Sequence, residues 1–145
     1  MITGVKMKAE DMLSLDYIAG LFDGEGSVVV RFKKDERYKA GYQLMLKVTL
    51  PQKSKELLEK VRDTLNMGKL YYHRRDELWY LEIYNIDDLF KFTNLMKGRV
   101  FLKREKLTKL SRIICLMKKK RHLSLSGIKF IMTVWRTPET GDNPR

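Results

Sequence analysis

The sequence predicts an α+β domain in which helices cover one face of a four-stranded antiparallel sheet. Three observations predict it. Two pairs of short runs alternate apolar and polar residues with the period of a strand, each pair joined through a polar turn. Stripes of helical period precede, separate and follow those pairs, so the order reads α-β-β-α-β-β-α with two more helices behind. The polar sides of the strands collect basic residues, which marks the uncovered face of the sheet as the one that meets water or a ligand.

The 145 residues suffice for one domain with a real core, read as residues 1–137, with 138–145 as a flexible tail holding Pro138, Gly141 and Pro144. Hydrophobic content of 43% beside 33% charged residues fits a soluble globular chain. The net charge of +12, from 30 Lys and Arg against 18 Asp and Glu, points to a polyanion, nucleic acid before an anionic membrane surface. Cys115 is the only cysteine, which excludes an intrachain disulfide and a multi-cysteine metal site; its apolar helical setting predicts a buried thiol. The N-terminus lacks the apolar region of a signal peptide, and no run reaches transmembrane length. The expected location is intracellular, in cytoplasm or organelle, and no membrane partner is expected.

The first helix carries Leu15, Ile18, Leu21 and Phe22 at helical spacing. It also carries Gly20 and Gly24, although an interior helical glycine costs about 1 kcal/mol relative to alanine. Their four-residue spacing sets them on one face, with Ala19 beside Gly20, where a second helix can approach backbone to backbone. The helix closes in Asp23-Gly24-Glu25-Gly26. Acids are unfavourable at the negative end of a helix dipole, a conflict that a bound cation resolves.

Ser27–Lys34 and Tyr42–Leu50 form the first hairpin, with Pro51 expected to end its second strand. Tyr42, Leu44, Leu46, Val48 and Leu50 take the apolar face; Gln43, Met45, Lys47 and Thr49 take the other. Ser54 caps a helix that turns Leu57, Leu58, Val61 and Leu65 inward and closes at Gly68. The second hairpin sets Lys69, Tyr71, His73 and Arg75 opposite Leu70 and Tyr72, turns near Asp76, and returns from Leu78 to Tyr84 with Trp79, Leu81 and Ile83 inward. A short helix starting at Asn85 or Asp87 carries Leu89, Phe92 and Leu95 to Gly98. Leu107, Leu110, Ile114 and Met117 stripe a longer helix from about Lys103 to Lys120, and Ser126–Trp135 makes the last one. Arg31, Lys33, Gln43, Lys47, Thr49, Lys69, Tyr71 and Arg75 are the candidate nucleic-acid readers, since Arg and Gln suit guanine and adenine edges and Thr packs on a thymine methyl.

Ile18–Gly26, I-A-G-L-F-D-G-E-G, resembles the signature of the LAGLIDADG homing endonucleases, with seven of its nine positions matching outright or conservatively. His122–Ile128 is similar to a late motif of that family. The resemblance implies a saddle-shaped sheet lying on double-stranded DNA. Family members with one motif act as homodimers, so Ala19, Gly20 and Gly24 would form the dimer interface and the target would be a long near-palindrome. It further implies Mg²⁺ held by Glu25 and the Gly24 carbonyl, catalysis by Glu25 with Asp23 in support, and Gln52 as a polar residue that orders water. The family more often has Asp where this chain has Glu25. A gapless alignment sets Glu105 where the family has a basic pocket residue, leaving Lys103, Arg104, Lys106 and Lys55 open, with Lys103 favoured. The implied activity is cleavage of both DNA strands. The alternatives are an RNA maturase acting on its own intron RNA, and a non-catalytic DNA-binding regulator on the same fold.

Overall fold

Ser14 caps the first helix by accepting the Tyr17 N–H on its Oγ at 3.0 Å. The computed structural model describes residues 12–137, so residues 1–11 and the expected tail at 138–145 lie outside the described residues. The elements run α1 (Leu15–Glu25), β1 (Ser27–Lys34), β2 (Tyr42–Gln52), α2 (Lys55–Leu65), β3 (Lys69–His73), β4 (Leu78–Ile83), α3 (Ile86–Met96), α4 (Arg104–Lys118) and α5 (Leu125–Arg136), with a 3₁₀ turn at Arg121–Leu123. This is the expected α+β order. The four strands form one antiparallel sheet in the order β1-β2-β4-β3.

Register explains why one face is apolar. Val28 pairs with Val48 and Val48 with Ile83, while Leu50 pairs with Leu81 and Leu81 with Leu70, so period-two alternation brings the inward residues of neighbouring strands into rows. Helical stripes cover those rows: Ile18 and Phe22 of α1, Leu58 and Val61 of α2, Leu89 and Phe92 of α3, and Leu107, Leu110 and Ile114 of α4 are all buried in the same core. Phe22 meets Phe92 edge to face at 5.0 Å, tying α1 to α3. Side-chain caps define three more helices: Ser54 for α2, Asn85 for α3 and Ser124, not Ser126, for α5.

Several expectations are corrected. Pro51 does not end β2, which runs on to Gln52 and pairs with Tyr80 and Trp79 of β4. Beyond Thr49 the strand has no β1 partner, so it is an edge on that side, where a missing N–H is tolerated. Arg75 lies in the β3–β4 turn rather than on a strand. Cys115 is exposed, because Ile113 and Ile114 already carry the buried stripe of α4 and the next residue rotates away from it. Lys109 is buried instead, where its Nζ donates to the Trp135 carbonyl at 3.2 Å and pairs with Glu105 at 3.4 Å, joining α4 to the end of α5. No helix among the described residues is long and apolar enough to cross a membrane.

The late His122–Ile128 segment has a steric reason for its glycine. A Cβ on Gly127 would overlap the Arg121 carbonyl oxygen of the 3₁₀ turn packed beneath it. Gly127→Ala should therefore destabilise the fold by about 1–3 kcal/mol, the usual range for overpacking. Calorimetry reads this as a lowered Tm; an unchanged Tm would mean the turn yields freely.

Candidate active site and nucleic-acid interface

The outer face of α1 is bare. A Cβ built on Gly20 or Gly24 finds no atom within 4 Å, so nothing among the described residues explains either glycine. Gly26, by contrast, is buried, and a Cβ there would enter the Phe22 ring. Ala19 does not lie on the bare face: it is buried with Ile18 and Phe22 against its own chain, since a step of one residue from Gly20 turns it about 100° away. Tyr17, one turn before Gly20, completes the exposed strip.

The α3–α4 loop is clipped along one flank of that strip. Arg99 pairs with Asp16 in the first turn of α1 at 3.2 Å. Two turns on, the Asp23 carboxylate accepts the N–H groups of Phe101, Leu102 and Lys103 at 3.0, 3.0 and 2.8 Å. The clip leaves Phe101 and Leu102 pointing outward, 78% and 72% exposed, beside the glycines. Burial pushes the Asp23 carboxyl up, but the N–H groups of Leu102, Lys103 and Phe101, helped by the Lys103 charge, outweigh it and hold the group below its ordinary value.

The two acids of the motif are thus divided. Asp23 is used structurally, a role that α1 alone gives no hint of, because its partners arrive some eighty residues later in the chain. Glu25 ends the helix, exposed, with no hydrogen-bond or ion-pair partner among the described residues. Lys103 comes to the same turn: its Nζ donates to the Asp23 carbonyl at 2.7 Å, answering the negative helix end. The other basic candidates are engaged elsewhere or exposed. Arg104 Nε donates to the Val100 carbonyl, Lys55 lies over the Trp79 ring and beside Glu59, and Lys106 is exposed. Glu105 points along α4 to Lys109.

Gln52 lies at the same end of the sheet. Ser27 pairs with Thr49, so Glu25 and Gln52 both continue beyond the end of the β1–β2 ladder. Among the described residues no group of three or more His, Cys, Asp or Glu comes together. At this end of α1 the described residues offer the Glu25 carboxylate and backbone carbonyls, hard oxygen donors of the kind a divalent cation takes but too few for a complete cage.

The open sheet face carries Arg31, Lys33, Gln43, Lys47, Lys69 and Tyr71, as the alternation predicts. Thr49 shares that face but is only 9% exposed, enclosed between Ser27 and Glu82, so little of it can reach a base edge. Sequence reasoning passed over Glu82, although it alternates with Tyr80 and so sits on this face; the period that placed Leu81 and Ile83 inward was the signal.

A basic sheet face ending at a solvent-facing carboxylate, beside a helix with a bare outer strip, makes this α+β domain's open side a candidate nucleic-acid interface. The LAGLIDADG endonuclease family model matches residues 18–109, and the chain belongs to that family. The DNA endonuclease I-CreI of Chlamydomonas reinhardtii is 28% identical over 100 residues, 68% of this chain but 60% of the relative, so the match spans less than two thirds of that protein. The archaeal intron-encoded homing endonuclease I-Vdi141I, solved in complex with DNA, has the same fold at a TM-score of 0.78 and 22% identity, covering 83% of this chain and 79% of its own. The I-LtrWI LAGLIDADG homing endonuclease bound to target DNA is 28% identical at a TM-score of 0.77, covering 83% of this chain and 42% of its own.

Asp23→Asn should loosen the clip, because an amide cannot accept three N–H groups as a carboxylate does, at a cost of about 1–3 kcal/mol near pH 7. The folded pKa is lowered, so the clip's contribution is complete above the ordinary value of 3.8 and is lost as pH falls through the folded value. Melting curves should show the gap between variant and native protein narrowing toward pH 3. A constant gap would assign the loss to something other than the charge.

Proposed function

We propose that the protein is a site-specific DNA endonuclease that works as a homodimer and cuts both strands of a long near-palindromic target with Mg²⁺. The observation that carries the reading is Glu25, without a partner among the described residues, at the end of a helix whose Gly20–Gly24 strip no described residue covers. A second copy of α1 crossing that strip fills it, and two-fold symmetry then brings two Glu25 side chains together. Phe101 and Leu102 flank the strip and would gain cover from the same contact. The two sheets would extend to either side of the axis, each with its basic face toward one half of the duplex. That arrangement demands matching half-sites.

Each chain's residues have separable tasks. Arg31, Lys33 and Lys69 neutralise phosphates and hold the duplex in register, while Gln43 and Tyr71 meet base edges or sugars. Glu25, with the Gly24 carbonyl, would hold Mg²⁺ against the scissile phosphates; when bound, the ion acidifies water and offsets charge on the leaving oxygen. Lys103 keeps a positive charge at the end of α1 within reach of the attacked phosphate. Gln52 offers an amide that both donates and accepts, which suits it to orienting water. Glu25 is longer than the aspartate more common in the family, yet it keeps both carboxylate oxygens.

Glu25→Gln preserves shape and removes the charge. The variant should bind its duplex with a salt slope close to that of the native protein, and cleave about 10³-fold more slowly, as expected when several kcal/mol of transition-state stabilisation are lost. Gel assays of binding and single-turnover cleavage measure the two separately. Native-like cleavage by this variant in Mg²⁺ buffer would overturn the role of Glu25.

A further inference from the structure

We infer that Glu82, braced by Lys47, reads a C·G base pair in each half-site, its carboxylate accepting from the cytosine amino group. The inference rests on the proposed endonuclease reading and adds a specificity-determining residue to it.

Glu82 is the penultimate residue of β4, between Thr49 of β2 and Lys69 of β3, on the open face. Its carboxylate lies 3.3 Å from Lys47 Nζ, with side chains 13% and 34% exposed respectively, so the pair is held yet still reaches solvent. Arg31, Lys47, Glu82 and Tyr84 line a concavity of about 450 Å³ on this surface. The Tyr84 hydroxyl meets that of Tyr71 at 3.0 Å, and Lys69 Nζ lies 6.0 Å from the Tyr84 ring.

An acid is out of place on a surface that approaches a polyanion. Phosphates repel it, and a partly exposed ion pair with Lys47 adds little stability of its own. A carboxylate can only accept hydrogen bonds, and the major groove offers two amino donors, cytosine N4 and adenine N6. Lys47 decides between them. An ammonium has three donors, of which Glu82 takes one, leaving others for the O6 and N7 acceptors of guanine. A C·G pair presents a donor beside two acceptors in one plane, which matches an acid and a base held 3.3 Å apart. An A·T pair also pairs an amino group with acceptors, but its thymine methyl occupies space that Lys47 would need.

The test is selection of cleaved duplexes from a pool randomised across both half-sites, using native protein, Glu82→Gln and Lys47→Met, with melting curves confirming that each variant is folded. Native protein should prefer C·G by about tenfold or more at one pair of symmetry-related positions. Both variants should reduce that preference to below about threefold at those same positions and leave other positions unchanged. The inference is overturned if Glu82→Gln keeps the native preference everywhere, or tightens binding equally on all sequences as a mere repeller of phosphate would. If native protein selects no duplex at all, the endonuclease reading falls first, and this inference with it.

Discussion

A helix that turns two glycines toward solvent has given up helix propensity for nothing unless another body lies against them. In this chain the deficit is concentrated in α1, and no described residue repairs it, because a methyl group at Gly20 or Gly24 would meet no described atom within 4 Å. Everything else near α1 is arranged around keeping that strip open. Ile18, Ala19 and Phe22 anchor the opposite side in the core, and Ser14 caps the helix start. The α3–α4 loop is fastened at Asp16 and Asp23, along the flank and not across the face.

The same end of α1 also resolves an electrostatic conflict in two ways. Two carboxylates beside a negative helix terminus would repel one another and the dipole. Asp23 is neutralised in effect by three N–H donors and the nearby Lys103 ammonium. Glu25 has no such partner among the described residues, which is the ground for the proposed cation site. The clip that satisfies Asp23 also brings Lys103 to the last turn of α1, where its Nζ donates to the Asp23 carbonyl. The sheet contributes reach: β2 outlasts β1 and carries Gln52 past the ladder's end toward the same region.

Much of this was legible in the sequence because it depends on local chemistry. Strand alternation in β1 and β2, the Ser54 and Asn85 caps and the apolar stripes of α2 to α4 follow from periodicity and side-chain hydrogen bonding. The motif and its family resemblance singled out Glu25 and Lys103, and the fold brings both to the end of α1. What was not legible depends on neighbours distant in sequence. Pro51 stays in its strand because β1 has already ended; Thr49 is covered by its cross-strand partners; Cys115 is exposed because two adjacent isoleucines fill the groove. Ala19 was misassigned for a subtler reason, since being next to Gly20 in sequence puts it on a different side of the helix. Asp23 needed a loop whose arrival no local pattern announces.

The central claim is that the bare strip of α1 exists to receive a second copy of itself. Sedimentation of the native protein on its target duplex, alongside Gly20→Leu, tests it most directly. The native complex should contain two chains per duplex. Gly20→Leu should fold with unimpaired or slightly raised stability, given that leucine gains up to about 1 kcal/mol over glycine in a helix, and yet sediment as a single chain. One chain per duplex for the native protein, or a Gly20→Leu protein that still pairs, would contradict the account.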